Sequence, residues 1–71
     1  MLNIQKKFGQ RIRELRQQKS ISQEELAFRC SLHRTYISDI ERGMRNVSLK
    51  NIEKITKTLD IKLSDFFGNI E

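Results

Sequence analysis

The sequence predicts an all-α fold, a compact bundle of five helices, and three observations carry that prediction. Apolar residues recur at helical spacing in successive segments. No segment alternates apolar and polar residues with period two, as a half-buried strand would. The 71-residue chain contains no proline, and serines and glycines stand where helices would start and stop.

Taken in order, Ile4, Phe8, Ile12 and Leu15 follow helical spacing with Gln, Lys and Arg between them, so Asn3 to Lys19 reads as an amphipathic helix with a basic polar face. Ser22-Gln23-Glu24-Glu25 reads as a capping box. The Ser22 hydroxyl would accept from the Glu25 N–H while the Glu25 side chain reaches back to the Ser22 N–H. The second helix starts there and carries Leu26, Ala27 and Cys30 on its apolar side. After Ser31-Leu32, a third helix opens at His33 or a neighbour and runs through Arg42, with Gly43 as its C-terminal cap. Ser48 opens a fourth, whose Leu49, Ile52, Ile55 and Leu59 form one buried face. A short fifth helix spans Leu63 or Ser64 to Phe67 and stops at Gly68.

Size and composition exclude much. A domain this small buries only about 60% of its unfolded surface, so a deep catalytic pocket would compete with its core. His33 has no nucleophile or second base at a recognisable spacing, and Cys30 falls on the buried side of its helix, so no enzyme is expected. One cysteine forms no internal disulfide, and Cys30 with His33 falls short of the four ligands of a structural zinc site. No metal or cofactor is therefore expected. Without such staples the chain must rely on well-packed helices, on pairing with a second copy, or on both. No signal-peptide or membrane-spanning run is present, which predicts a cytoplasmic protein with no membrane partner. Nothing repeats and no linker-like run occurs, so residues 1–71 read as a single domain.

The formal net charge is +5, distributed unevenly: residues 1–20 carry +5 and residues 33–50 carry +2, while 21–32 and 51–71 carry −1 each. This suits a polyanion lying across the first helix and the region near residue 45, although a solvated basic face would look the same. Gln23 to Arg42 also has the spacing of a helix-turn-helix, in which the second helix enters the major groove and the first braces it across the backbone.

Two segments carry a family resemblance. Ile21-Ser22-Gln23-Glu24-Glu25-Leu26-Ala27 and Tyr36-Ile37-Ser38-Asp39-Ile40-Glu41-Arg42-Gly43 resemble the phage-repressor and Cro type of helix-turn-helix domain, over roughly residues 8–67. His33-Arg34-Thr35-Tyr36-Ile37-Ser38 with Arg45-Asn46 is similar, more narrowly, to the controller proteins of restriction-modification systems. Ser20 and Ser31 depart from it, standing where the family often has glycine. If those positions need positive φ, each costs on the order of 1 kcal/mol.

With Ile37 and Ile40 facing the core, Arg34, Thr35, Ser38 and Asp39 are left outward on the third helix. Arg34 can bond guanine O6 and N7, Thr35 can meet a thymine methyl or a base edge, and Asp39 can accept from cytosine N4. An ordinary solvent-facing Arg34, and an Asp39 that only orients neighbouring arginines, are the alternatives. Tyr36 either packs over the second helix or places its hydroxyl on DNA. Gln23, at a helix N-terminus, is placed for a phosphate. The resemblance implies the same for Gln23 and for the loop that follows the third helix, here Arg42, Arg45, Asn46 and Lys50. It also implies a structural ion pair between Arg16 and Glu41.

Phe66, Phe67 and Ile70 supply more apolar surface than the core's edge requires, which predicts a two-fold dimer contact; otherwise Phe66 closes the core against Leu59 and Leu63. A dimer would set its recognition helices about 34 Å apart on a pseudo-palindromic site. The predicted function is a dimeric transcription regulator binding double-stranded DNA at a short inverted repeat, acting by occlusion or through contact with RNA polymerase. A protein-binding module or antitoxin on the same fold is the rival. Such a module would expose Leu, Met or aromatic residues on the third helix, where this chain has Arg34, Thr35 and Ser38.

Overall fold

The computed structural model describes residues 3–70. Five helices follow one another: α1 (Ile4–Gln18), α2 (Gln23–Cys30), α3 (Arg34–Glu41), α4 (Leu49–Thr58) and α5 (Leu63–Gly68). No strand occurs among the described residues. Small differences from the expected boundaries have local causes. Asn3 is the N-cap of α1, accepting the Lys6 N–H at 2.9 Å. Arg42 is the C-cap of α3 rather than part of it. Gly68 does not stop α5; it is the last residue of that helix.

Ser22 and Ser48 cap α2 and α4, accepting the N–H groups of Glu25 at 3.0 Å and Asn51 at 3.2 Å. Each satisfies one of the four N–H groups that a helix start leaves without a partner. The reciprocal half of the predicted capping box is absent, because the Glu25 carboxylate accepts instead from Arg29 Nε at 2.7 Å, one turn along α2.

The first four helices end in the same way. The residues at the four exits, Ser20, Ser31, Gly43 and Asp60, have φ of 57°, 59°, 76° and 57°. At each exit two N–H groups turn back onto the last turn. Ile21 donates to Arg16 O, Leu32 to Ala27 O, Met44 to Asp39 O and Ile61 to Thr56 O, each beside a shorter-range bond from the residue before it. This is the Schellman arrangement. Ile21, Leu32 and Ile61 then pack against the core. Three of the four exits place an L residue in the left-handed region, which costs roughly 1 kcal/mol apiece. Ser20 and Ser31 were expected there; Asp60 was not.

Phe8, Ile12 and Leu15 of α1, Leu26, Ala27 and Cys30 of α2, Ile37 and Ile40 of α3, and Ile52 and Ile55 of α4 form one buried cluster, closed by Leu59, Phe66 and Ile70. Leu49, expected on the buried face of α4, is instead 83% exposed, because it is the first residue of the helix and lies beyond the edge of that cluster. Phe66 meets Phe8 edge-on with ring centroids 5.2 Å apart. Gly9 lets α3 approach α1: a Cβ on Gly9 would lie 2.0 Å from Ile40 O, a backbone atom that cannot step aside. The third helix is thus pressed backbone-to-backbone onto the first.

Ser20→Gly and Ser31→Gly should each raise the unfolding free energy, by up to about 1 kcal/mol, whereas Gly9→Ala should lower it by about 1–3 kcal/mol through overpacking. Urea denaturation measures all three. A Gly9→Ala protein as stable as the parent would contradict the close packing of α1 and α3.

Candidate nucleic-acid interface

The end of α3 is fixed by one carboxylate. Arg16 Nε and Nη2 donate to Glu41 Oε2 and Oε1 at 2.7 and 3.1 Å, and Arg16 Nη1 donates to Ile21 O at 2.9 Å. Gln23 Nε2 also donates to Glu41 Oε1, at 3.1 Å. Only 12% of the Arg16 side chain and 3% of the Glu41 side chain remain exposed. The fork-to-fork geometry ties α1, the turn that follows it, the start of α2 and the end of α3 into one joint. The predicted Arg16–Glu41 pair is therefore present in the structure.

With its inner side held by Ile37, Ile40 and Glu41, α3 presents Arg34 and Thr35 as exposed residues in its first turn and Ser38 as a half-buried one further along. Tyr36 is half-buried and packs against the core. Its hydroxyl accepts from Asn51 Nδ2 at 3.1 Å, and the Arg45 guanidinium lies over its ring, 5.3 Å from the centroid. Asp39 is engaged within the chain: Oδ1 accepts from Arg42 Nη2 at 3.0 Å, and Oδ2 lies 3.5 Å from Arg45 Nε. Asp39, Arg42, Arg45, Tyr36 and Asn51 thus form one chain of contacts along the rim of α3.

Arg42, Arg45, Asn46 and Lys50 are exposed, whereas Gln23 is half-buried because its amide is shared with Glu41. At the α2 start, Ser22 takes the Glu25 N–H, and the N–H groups of Gln23 and Glu24 have no acceptor within the helix. The helix end beside Gln23 can therefore donate to an anion.

The three residues expected at a dimer contact separate. Phe66 is fully covered and Ile70 nearly so, both by the chain's own core, because Phe8 of α1 lies against the Phe66 ring. Phe67 remains 41% exposed and, with exposed Ile4, borders a shallow apolar groove over Phe8, Val47 and Ile52. This groove, which includes Ile4 at the other end of the chain, is one part of the exposed apolar surface; Phe28, Met44, Leu49 and Leu63 are exposed outside it.

Cys30 is buried. Its thiol donates to Thr58 Oγ1 at 3.4 Å, and burial pushes its pKa up, outweighing the opposing effects of Thr58 and Lys54. It is a core residue with little thiolate character. Among the described residues no three potential metal ligands cluster, and no helix is long and apolar enough to cross a membrane.

Two residues, one in the site and one that positions it, escaped the sequence reading. Asn51, in the first turn of α4, is one: nothing in its spacing points to Tyr36. Gly9 left a signal, a glycine inside an otherwise regular helix, which marks close backbone approach.

A helix-turn-helix family profile matches residues 12–66, the span that holds the joint and the outward face of α3. The chain accordingly belongs to the helix-turn-helix class of DNA-binding transcription regulators. Among its relatives, the control protein C.BamHI of Bacillus amyloliquefaciens is 64% identical over 75 residues, covering 97% of this chain and 93% of the relative. The solved restriction-modification controller protein C.AhdI from Aeromonas hydrophila is 55% identical with a TM-score of 0.84, over 87% of this chain and 94% of that one. The controller protein C.Esp1396I, solved as a tetramer in complex with its natural 35 base-pair operator, is 37% identical with a TM-score of 0.88, over 99% and 92%. Within the class, the chain belongs to the family of restriction-modification controller proteins.

Arg16→Ala should strand the Glu41 carboxylate and cost about 3–5 kcal/mol of stability, a large part of the roughly 5–15 kcal/mol that holds a small domain together. Urea denaturation reads this directly. A loss below about 1 kcal/mol, the value of an exposed pair, would show that the joint does not hold α3.

Proposed function

We propose that this chain binds, as a homodimer, a short inverted-repeat operator and thereby regulates transcription as a restriction-modification controller. The carrying observation is that α3 is clamped on one side and exposes Arg34 and Thr35 on the other, flanked by the α2 start and the Arg42–Lys50 loop. In this reading α3 lies in the major groove. Arg34 pairs with guanine, and Thr35 and Ser38 read neighbouring base edges. Tyr36, with its hydroxyl on Asn51, meets the groove wall beside them. Gln23, Arg42, Arg45, Asn46 and Lys50 hold phosphates and set the register.

Self-association draws on Phe67 and Ile4, since Phe66 and Ile70 are spent inside the protomer. Two-fold pairing through that groove would repeat the recognition helix about one duplex turn away and explain an inverted repeat. The protein acts in the cytoplasm by occupancy and without catalysis. It either covers a promoter or touches RNA polymerase bound beside it. The solved complex of C.Esp1396I with its operator supports this reading.

Arg34→Ala should lose about 1–3 kcal/mol at one base position and leave non-specific binding mostly intact, whereas Arg45→Ala should weaken every sequence and flatten the salt slope by about one unit per site. Anisotropy titrations against single-base operator variants at several salt concentrations separate the two. Uniform weakening by Arg34→Ala would remove it from base reading. An unchanged slope for Arg45→Ala would remove it from the phosphates.

A further inference from the structure

The Asp39 carboxylate is poorly explained by the fold. A carboxylate in the last turn of a helix opposes the helix dipole. The helices α1, α2 and α4 carry Arg16, Arg29 and Lys57 in that turn, while α3 carries no basic residue there and instead has Asp39 and Glu41. Glu41 is justified by its buried pair with Arg16. Asp39, itself 20% exposed, pairs among the described residues with Arg42, whose side chain is 66% exposed, and Arg45, at 51%. Pairs whose arginines are so open to solvent contribute little to stability.

What Asp39 does change is the freedom of the two arginines. Arg45 is held from one side by the carboxylate and from the other by the Tyr36 ring, and Tyr36 is itself held by Asn51. Arg42 is held by the same carboxylate. Non-specific DNA binding comes almost wholly from cations that reach phosphates in any register. Arginines tied to α3 can serve without rearrangement only in the register that α3 itself adopts; in any other they must break from Asp39 and leave its charge facing the backbone.

We infer that Asp39 is a specificity-determining residue that acts through Arg42 and Arg45, restraining both so that phosphate contacts form fully only when α3 is in register with its bases. It is a positioning residue and not a reader of cytosine. The inference rests on the DNA-binding function proposed above.

The test is Asp39→Asn, which keeps the shape of the side chain and removes its charge. Parent and variant are titrated with the best-bound duplex from a randomised pool and with a scrambled version of it, over a range of salt. The variant should bind the scrambled duplex roughly threefold to tenfold tighter near 0.1 M salt, with a slope steeper by about one unit, so that discrimination falls. Adding Arg42→Ala and Arg45→Ala should abolish that change, which a merely structural role would not do. Thermal melting confirms folding, and Asp39→Ser is read in the same way should the Asn variant melt early. An unchanged affinity and slope on the scrambled duplex would overturn the inference while leaving the function intact. So would a loss confined to one cytosine position, which would make Asp39 a base reader. A parent protein that binds neither duplex would overturn the function and this inference together.

Discussion

The bidentate pair between Arg16 and Glu41 is the constraint on which the rest of the structure depends. A chain of 71 residues has little core to spare, and α3 is only eight residues long, too short to hold its direction by its own hydrogen bonds. Its orientation comes from outside. Gly9 admits the backbone of α3 against α1, Ile37 and Ile40 fill the core beneath it, and the Glu41 carboxylate collects donors from Arg16 and Gln23. Desolvating these two charges is costly, so the pair is better understood as fixing geometry than as adding net stability.

From that joint the outward face follows. Because the inner side of α3 is committed, Arg34 and Thr35 stand exposed in the first turn. The far rim is ordered by a second, weaker set of contacts from Asn51 through Tyr36 and Arg45 to Asp39 and Arg42. The two sets differ in kind. The first is buried and permanent; the second is half exposed and open to exchange with phosphates and salt. A rigid reading helix beside basic arms that are tied to it yet able to pass from Asp39 to phosphates suits recognition of a polyanion of defined sequence.

Most of the fold was legible in the sequence because helices of this kind announce themselves by period and by caps. Ile52, Ile55 and Leu59 repeat on one buried face, although Leu49, one turn earlier on the same period, stands exposed, and Ser22 and Ser48 stand one residue before their helices. The failures share a cause: local pattern does not show competition between partners. Glu25 had two possible partners and took Arg29 rather than the Ser22 N–H. Phe66 and Ile70 looked surplus until Phe8, distant in sequence, was found against the Phe66 ring. Asp60 at positive φ followed a helix end with no glycine to mark it. Within the site, the outward positions of α3 could be read from its period. The Arg16–Glu41 pair came from family resemblance, because no spacing rule links residues 25 apart.

The central claim is that a clamped α3, doubled by self-association, reads a short inverted repeat. Its most direct test is selection of binding sites from a randomised duplex pool at near-physiological salt, followed by the native mass of the best complex. Enrichment of an inverted repeat with half-sites about 10 bp apart, bound by two chains or by pairs of dimers, is the predicted result. Binding that enriches no sequence and vanishes as salt rises would contradict the account, and would reduce the basic face to general electrostatics.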